Sequence, residues 1–368
     1  MKILSIETSC DETSIASVEA SGGIRAPRFK VLQNIVSSQI ALHAPFGGVV
    51  PNIAKREHLK NLPIIFRQIF VNPKSKILNP KQTQNTEYKI LSTKVDVVAV
   101  TVGPGLEPAL WTGVNFAKEI HKNHFPKAKL IGVNHMEGHL YSFLLPQKTQ
   151  FPISNSQFSK TKIFPAVGLV VSGGHTILLL MKSLTEWKKL GETRDDAVGE
   201  AFDKVARMLG LPYPGGPEIQ RAAAPGDPSS VNFPRPMMKD KNYDFSFSGL
   251  KTSVLYYIRD HKEQSKNKNF IEDVAASFQA AAVETLVYKT ARAVQEFKAK
   301  SIILAGGVAA NQSLRETLVK TSKELGVHFF APPMAYNTDN AAMIAAAAYI
   351  QTLKKKNRRI TAQANLNL

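Results

Sequence analysis

Two histidines, His135 and His139, are four residues apart. On a helix this spacing places both imidazoles on one face, where they could share a cation, although such a pair is also an ordinary surface or core feature. The zinc-peptidase motif has the same spacing but needs a glutamate directly after the first histidine as general base, and Met136 stands there. The missing glutamate makes a peptidase a minor alternative, while a metal site and an ordinary histidine pair both stay open at this point.

A metal site on two histidines needs a third ligand, and the candidate is Asp339 in the segment 337–340. It directly precedes a stretch that predicts a helix over 341–356. Asp, Asn and Thr are also the preferred N-cap residues of helices, so capping is the alternative role for Asp339. From the residues alone, both roles stay open.

Glycine-rich turns are the second chemical feature. Glycine lets the backbone approach a ligand closely, and free N–H groups at such turns favour an anion such as phosphate. The chain has neither the lysine pattern of a P-loop nor the dinucleotide-binding fingerprint. Three segments have this character: Val170-Val171-Ser172-Gly173-Gly174, Gly215-Gly216, and Gly306-Gly307 with the residues up to Asn311.

The elements that would carry these residues follow a repeated plan. Segments 3–18 and 167–180 each read as a strand, a polar turn and a second strand. Each is followed, about a hundred residues later, by an apolar strand that runs into a glycine turn, at 95–102 and at 302–305. Strands that alternate with helical stretches predict an α/β fold, here duplicated in plan though not in sequence.

Composition narrows the class of protein. The 368 residues are 43% apolar, enough for two globular domains, and a single cysteine, Cys10, excludes an internal disulfide and a cysteine-built metal site. The longest apolar run, 341–350, is shorter than the about 20 residues that a membrane-spanning helix needs. A net charge of +18 raises the expectation of a polyanionic partner.

Polar segments without periodicity predict surface insertions at 72–85 and 146–162. The basic run from Lys354 to Arg359 is typical of a solvated helix end followed by a disordered tail, with RNA contact as the alternative.

Taken together, the motifs resemble the TsaD family, the tRNA threonylcarbamoyl transferases, and in particular a mitochondrial member from a fungus. The resemblance runs from the first strand to about residue 350. It is carried by 6–13 (IETSCDET), 135–139 (HMEGH), 171–176 (VSGGHT), 199–204 (GEAFDK), 213–217 (YPGGP), 245–251 (FSFSGLK), Gly306-Gly307-Val308 with Asn311, and 338–340 (TDN).

The resemblance implies the duplicated actin-like, sugar-kinase-like and heat-shock-ATPase-like fold, with two lobes around a nucleotide cleft. The lobes would be 1–145 with 338–368, carrying the metal-binding helix and a closing C-terminal helix, and 163–337, with 146–162 as a linker. The implied reaction moves a threonylcarbamoyl group from threonylcarbamoyl-adenylate to the exocyclic amine of the adenosine 3′ of the anticodon, in tRNAs that decode codons starting with A. A zinc-dependent peptidase and a non-catalytic nucleotide-binding switch are the alternatives.

The site residues follow from the resemblance. His135, His139 and Asp339 look like metal ligands. We further hypothesise that Asp11 or Glu12, at the tip of the first hairpin, orients the acceptor amine or takes its proton. The residues expected to bind substrate or nucleotide are Val170, Val171, Ser172, Gly173, Gly174, Asp203, Gly216, Glu218, Gln220, Gly307 and Asn311.

The resemblance also implies cofactors and partners. We expect one divalent metal per chain, zinc or iron, and threonylcarbamoyl-adenylate, ATP or AMP as the nucleotide. The expected partners are tRNA, a YrdC-type enzyme that supplies the adenylate, and a second copy of the chain in a homodimer, with no membrane association. The basic charge favours the mitochondrial matrix, and a bacterial-type cytoplasm is the alternative.

Overall fold

The computed structural model describes residues 1–70, 93–146, 163–355 and 357–368. The chain divides into two compact units, Met1–Ser159 with Thr338–Leu368, and Lys160–Asn337. Each unit contains a five-stranded mixed sheet with helices, so the predicted α/β class is confirmed. The insertion predicted at 72–85 lies outside the described residues, and so does that at 146–162 apart from its first residue.

The sheet of the first unit has the strand order β3-β2-β1-β4-β5. The first three strands are antiparallel neighbours, and β4 and β5 extend the sheet in parallel with β1. The predicted hairpin at 3–18 is therefore confirmed as β1 and β2. The strands are β1 (Lys2–Glu7), β2 (Glu12–Ser21), β3 (Arg28–Ser38), β4 (Val97–Gly103) and β5 (Lys129–Asn134).

The sheet of the second unit repeats this plan with the order β10-β9-β6-β7-β8. An antiparallel β6–β7–β8 meander is extended in parallel by β9 and β10, as β1 is by β4 and β5. The duplication predicted from the sequence is thus present in the strand order. The strands are β6 (Ala166–Val171), β7 (Thr176–Met181), β8 (Trp187–Glu192), β9 (Ser301–Ala305) and β10 (His328–Phe330).

Helices follow the strands along the chain. Those of the first unit are α1 (Ile40–His43), α2 (Pro51–Phe70), α3 (Glu107–His124), α4 (His135–Tyr141) and α10 (Ala341–Leu353). Those of the second unit are α5 (Val198–Met208), α6 (Gly215–Ala223), α7 (Ser248–Asp260), α8 (Lys268–Glu296) and α9 (Gln312–Glu324).

The apolar run 341–350 forms most of α10, and every residue in it is buried. Its alanines let the helix pack closely against the strands of the first unit, which accounts for a run that is apolar on all sides. In the described part of the chain, no helix has the length and apolar character needed to cross a membrane.

The end of the chain differs from the expectation. Helix α10 stops at Leu353 rather than at 356, because Lys355 adopts a left-handed conformation (φ 55°) that ends a helix. The tail beyond it is not disordered. The main-chain N–H of Gln363 donates to the carbonyl of Val102 at 2.7 Å, and Ala364 accepts from the N–H of Gly105 at 3.1 Å.

Candidate functional site

The predicted histidine pair lies on α4, which begins as soon as β5 ends. Asn134 caps this helix, because its side-chain oxygen accepts from the main-chain N–H groups of Met136 at 2.8 Å and Glu137 at 3.2 Å. The cap fixes the helix start, and the four-residue spacing then puts His135 and His139 side by side. Their ring centroids are 4.7 Å apart.

Asp339 completes the group. It is not the N-cap of α10, because that role belongs to Asn340, whose side chain accepts from the N–H of Met343 at 3.1 Å. Oδ1 of Asp339 instead lies 3.4 Å from Nε2 of His135 and 3.0 Å from Nε2 of His139. One ligand atom from each of the three side chains lies within 4.8 Å of the others, so residues 200 positions apart in sequence converge on one point.

His139 has the character of a metal ligand. Its residue has no exposed surface, and neither ring nitrogen has a hydrogen-bond partner among the residues that the structure describes, despite the short distance to Asp339. Buried polar atoms are rarely left unsatisfied, and an imidazole nitrogen facing a carboxylate and a second imidazole is a typical ligand for zinc or iron. The three side chains therefore fit a divalent metal.

Glu7, at the end of β1, bonds to the ring nitrogen of His135 that faces away from Asp339. Its Oε2 lies 3.1 Å from Nδ1 of His135 and accepts the hydroxyl of Thr101 at 2.5 Å. Its Oε1 accepts the N–H of Ser9 at 2.5 Å. Because Nδ1 of His135 bonds to this carboxylate, Nε2 is the nitrogen that faces Asp339 and would bind a metal once it has lost its proton, as in metal-bound histidines whose other nitrogen bonds a carboxylate.

The charges around the histidines are mostly negative. Burial lowers the pKa of His135, but the carboxylates of Asp339 and Glu7 outweigh it and raise that pKa well above the usual value. Burial favours a higher pKa for both carboxyls, yet His135 holds each of them below its usual value. Burial, with the charges of Asp339 and Asp11, raises the pKa of Glu12. Such an excess of carboxylates over imidazoles attracts a cation.

The two proposed catalytic acids lie on the turn from β1 to β2. Asp11 is 7% exposed, whereas Glu12 is half-buried and opens β2. The turn is fixed from behind, since Nε2 of His58 lies 2.9 Å from the carbonyl oxygen of Cys10 and the carbonyl of Asp11 accepts the N–H of Gln39 at 3.0 Å. Both acids thus belong to the same unit as His135, His139 and Asp339.

The glycine-rich segments lie in the second unit. Ser172, Gly173 and Gly174 form the turn between β6 and β7, and a Cβ added at Gly199, near the start of α5, would lie 2.6 Å from the carbonyl oxygen of Ser172. Gly306, at the end of β9, has φ +93°, and a Cβ there would lie 2.2 Å from the carbonyl oxygen of Val171. Glycine is required at both places because backbone passes against backbone.

Four glycines of the predicted nucleotide-binding segments have open space where a side chain would be. A Cβ added at Gly173, Gly174, Gly216 or Gly307 would meet no atom within 4 Å. Space in front of four glycines, with main-chain N–H groups nearby, is the kind of surface that admits a phosphate or a nucleoside. In contrast, Val170 and Val171 have no exposed surface, and Val171 belongs to the hydrophobic core of the unit.

The polar residues predicted for nucleotide binding hold these loops together. Asp203 accepts the N–H of Gly215 at 2.7 Å. Gln220 accepts the N–H of Gln312 at 2.7 Å. Asn311 caps α9 through the N–H of Leu314 at 2.9 Å and donates to Gln279 at 2.8 Å, and Glu218 forms an ion pair with Arg221. The bonds of Asp203, Gln220 and Asn311 position the starts of α6 and α9, whereas the ion pair of Glu218 lies within α6.

Comparison with known proteins decides the family. A family model described as "TsaD: tRNA N6-adenosine threonylcarbamoyltransferase" matches residues 30–346. The chain belongs to this family. It is 47% identical over 349 residues to the tRNA N6-adenosine threonylcarbamoyltransferase of Thermosipho africanus, covering 95% of this chain and 94% of the relative. The enzyme of the same name from Halalkalibacterium halodurans is 45% identical over 349 residues, covering 95% and 90%.

Solved structures support the fold. The crystal structure of full-length HypF in the phosphate- and nucleotide-bound form superimposes with a TM-score of 0.55 at 12% identity, over 98% of this chain and 47% of that one. This chain thus spans about half the length of HypF. The likeness confirms the two-unit α/β fold that the TsaD resemblance implied.

Family membership makes this chain a transferase that modifies N6 of adenosine in tRNA. The peptidase and the non-catalytic switch are not supported. The structure adds a reason against the peptidase, because Glu137 is 7% exposed and forms a two-bond ion pair with Arg358, at 2.8 and 2.9 Å. A carboxylate held in this way is not free to act as a general base.

Sequence reasoning did not assign roles to three residues that bond to His135 or to helix α4: Glu7, Asn134 and Arg358. Glu7 and Asn134 had a usable signal, since each is a polar residue at the end of an apolar strand, next to a predicted site segment. Arg358 had no such signal in the sequence, because nothing in a basic run distinguishes the arginine whose side chain pairs with a buried carboxylate.

Replacing Glu7 with glutamine should weaken the site without removing a ligand. The amide lacks the negative charge that orients His135, so the affinity for Zn²⁺ should fall by about 10- to 100-fold. Zn²⁺ titration of the metal-free protein measures this change. Glu119→Gln, on the exposed face of α3, is the matched control and should titrate like the unsubstituted chain. Equal affinity in both variants would show that Glu7 does not orient the ligand.

Proposed function

We propose that this enzyme transfers the threonylcarbamoyl group from threonylcarbamoyl-adenylate to the exocyclic amine of the adenosine 3′ of the anticodon, in tRNAs that decode codons starting with A. The bond between the acyl group and the phosphate breaks, and AMP is the leaving group. The observation that carries the proposal is the convergence of His135, His139 and Asp339 in a chain of this family. The acceptor amine is a weak nucleophile because its lone pair is delocalised into the purine, so the acyl group has to be activated.

The three ligands would hold one divalent metal, zinc or iron. When bound, such an ion supplies Lewis-acid polarisation of the carbamoyl carbonyl. The protein's own contribution is orientation. Glu7 fixes the ring of His135, and Asp339 is held at the start of α10, where the N–H of Ala341 donates to the hydroxyl of Ser14 at 2.9 Å. Because neighbouring residues already hold these ligands in position, the ligands would need little rearrangement to bind a metal.

The nucleotide part of the donor, or ATP or AMP, would occupy the glycine-lined space of the second unit. The main-chain N–H of Ser172 donates to the carbonyl of His175 at 2.8 Å, so those of Gly173 and Gly174 would be the ones to bind the phosphate. Gly216 and Gly307 would leave room for the nucleoside. The carboxylates of Asp203 and Glu218 and the side chains of Gln220 and Asn311 would contribute hydrogen bonds to it. Val170 and Val171, both buried, would contribute by holding the β6–β7 turn in place.

Glu12 is the better candidate for orienting the acceptor amine or accepting its proton. It is more exposed than Asp11, and it lies near enough to Asp339 for the two charges to interact. A carboxyl whose pKa is raised by burial is a stronger base than one in water. Asp11, nearly buried, would hold the turn.

The remaining parts of the proposal concern partners and compartment. A YrdC-type enzyme would supply the adenylate, and the chain would act as a homodimer. Exposed apolar side chains, Phe46 at 60% and Leu59 at 57%, are compatible with a protein interface in the first unit. The relatives described above are bacterial, which supports a bacterial-type cytoplasm over the mitochondrial matrix.

The activity is tested by mixing the protein with a threonylcarbamoyl-adenylate source and unmodified tRNA, and by detecting the modified nucleoside with mass spectrometry. Wild-type protein should form the product, and His139→Ala should lower kcat by about 100-fold or more, because a metal ligand is lost. Absence of product with folded, metal-loaded wild-type protein would refute the proposal, as would full activity of the variant.

Glu12→Gln should lower kcat by about 100-fold, the usual size of a general-base contribution, with Zn²⁺ affinity unchanged. Asp11→Asn serves as the comparison and should have the smaller effect on kcat. Single-turnover rates with saturating donor and tRNA separate this loss from weaker binding. The opposite order of the two variants would assign the role to Asp11, and wild-type rates in both would remove these acids from the mechanism.

Gly307→Val should weaken AMP binding by about tenfold, or about 1.4 kcal/mol, because the new side chain fills space that the proposal gives to the nucleoside. The melting temperature should stay constant, since a Cβ there meets no neighbour. Gly306→Ala is the contrasting variant, in which the Cβ meets the backbone of Val171, so its melting temperature should fall. Calorimetric titration with AMP gives the affinities. Unchanged AMP affinity in Gly307→Val would place the nucleotide elsewhere.

A further inference from the structure

The last residues of the chain, 357–368, return to the sheet of the first unit, and we call them the C-terminal strap. Besides the two main-chain hydrogen bonds to Val102 and Gly105, the strap packs Ile360 and Leu366 against the hydrophobic core of this unit. Gly103, with φ +149°, makes room for it, because a Cβ there would lie 1.9 Å from the carbonyl oxygen of Gln363. The strap is therefore a packed part of the unit.

The strap contacts the start of the metal-ligand helix. Asn134, the N-cap of α4, uses its oxygen for the N–H groups of Met136 and Glu137, and its side-chain nitrogen donates to the carbonyl of Asn367 at 3.0 Å. The cap that fixes the first turn of α4 is thus itself held by the strap.

The strap also contacts the middle of α4. Arg358 donates to both carboxylate oxygens of Glu137, at 2.8 and 2.9 Å, and to the side chain of Gln351 at 3.1 Å. Gln351 in turn donates to the carbonyl of Gly132, in β5, at 3.0 Å. Glu137 lies between the two histidines in sequence, and its side chain is only 9% exposed. A planar guanidinium that binds both oxygens fixes orientation as well as distance.

Helix α4 depends on such contacts. It has seven residues, and a helix of this length has no stability of its own in water. The positions of His135 and His139 are therefore set by what packs on α4 and bonds to it. Metal ligands have to be held within about 0.5 Å of their bonding geometry. Loss of either strap contact should therefore displace the ligand atoms of His135 and His139.

We propose that the C-terminal strap positions α4 for metal binding, and that Arg358, acting through Glu137, is its main positioning residue. The proposal rests on the metal function proposed for His135, His139 and Asp339. Arg358 itself touches neither the ligand atoms nor substrate. Its role is to keep both imidazoles in place before the ion arrives.

The test is a Zn²⁺ titration of the metal-free full-length chain. Arg358→Ala should weaken Zn²⁺ binding by about tenfold and speed hydrogen exchange at the amides of α4, whereas Arg359→Ala, the exposed neighbour, should change neither. Arg358→Lys keeps one charged bond to Glu137 and should recover part of the affinity. In the tRNA assay, Arg358→Ala should lower kcat at limiting Zn²⁺ and leave KM for tRNA unchanged.

The route through Glu137 is tested in a Glu137→Gln background. There Arg358→Ala should cause little further loss of Zn²⁺ affinity, because the ion pair is already broken. A lower melting temperature with unchanged Zn²⁺ affinity would reduce the strap to a stabilising role and overturn the proposal. So would a raised KM for tRNA alone, which would make Arg358 an RNA contact.

Titration of His135→Ala in the same series separates the two proposals. If the unsubstituted chain binds Zn²⁺ and His135→Ala does not, the metal site is established, and normal binding by Arg358→Ala then refutes the strap alone. If His135→Ala binds Zn²⁺ as the unsubstituted chain does, the metal function proposed for these ligands fails first.

Discussion

The first unit is organised around a buried row of charges in which His135 lies between two carboxylates, Glu7 on one side and Asp339 on the other. Burying charged groups is costly unless each is paired, so the fold has to place each of the three within bonding distance of its partner. They come from β1, α4 and the residue pair before α10. The fold of this unit can be understood as the means of bringing those three chain segments to one place.

The start of helix α10 positions the carboxylate of Asp339. Its residues 341–350 are buried, and its first turn is tied to the sheet by the hydroxyl of Ser5, which donates to the carbonyl of Ala341 at 2.6 Å. The N–H of Ala342 donates to Asn34 at 3.2 Å. Because these sheet residues and Asn340 satisfy the groups at the helix start, Asp339 is not needed as a cap and its carboxylate can face the histidines.

The two units share one strand order, but the turns between their first two strands have opposite electrostatic character. The β1–β2 turn carries Asp11 and Glu12 and lies in the same unit as His135, His139 and Asp339, and its two carboxylates suit cations. The equivalent β6–β7 turn carries Gly173 and Gly174, with open space in front of them, which suits anions. A single backbone arrangement has thus been given different chemistry by the few residues at its hairpin tip, while the apolar strands behind both turns are alike in burial.

The sequence by itself determined the elements: the two hairpins, the duplicated α/β plan and the spacing of the histidines on one helix face, because periodicity and turn chemistry are local properties. Motif order also pointed to the family. Only the tertiary structure decided whether Asp339 caps a helix or faces the imidazoles, because that depends on Asn340 and on strands more than 300 residues away. The contacts of the C-terminal strap were likewise invisible in the sequence, since a basic run looks solvated until the buried partners of Arg358, Glu137 and Gln351, are located in space.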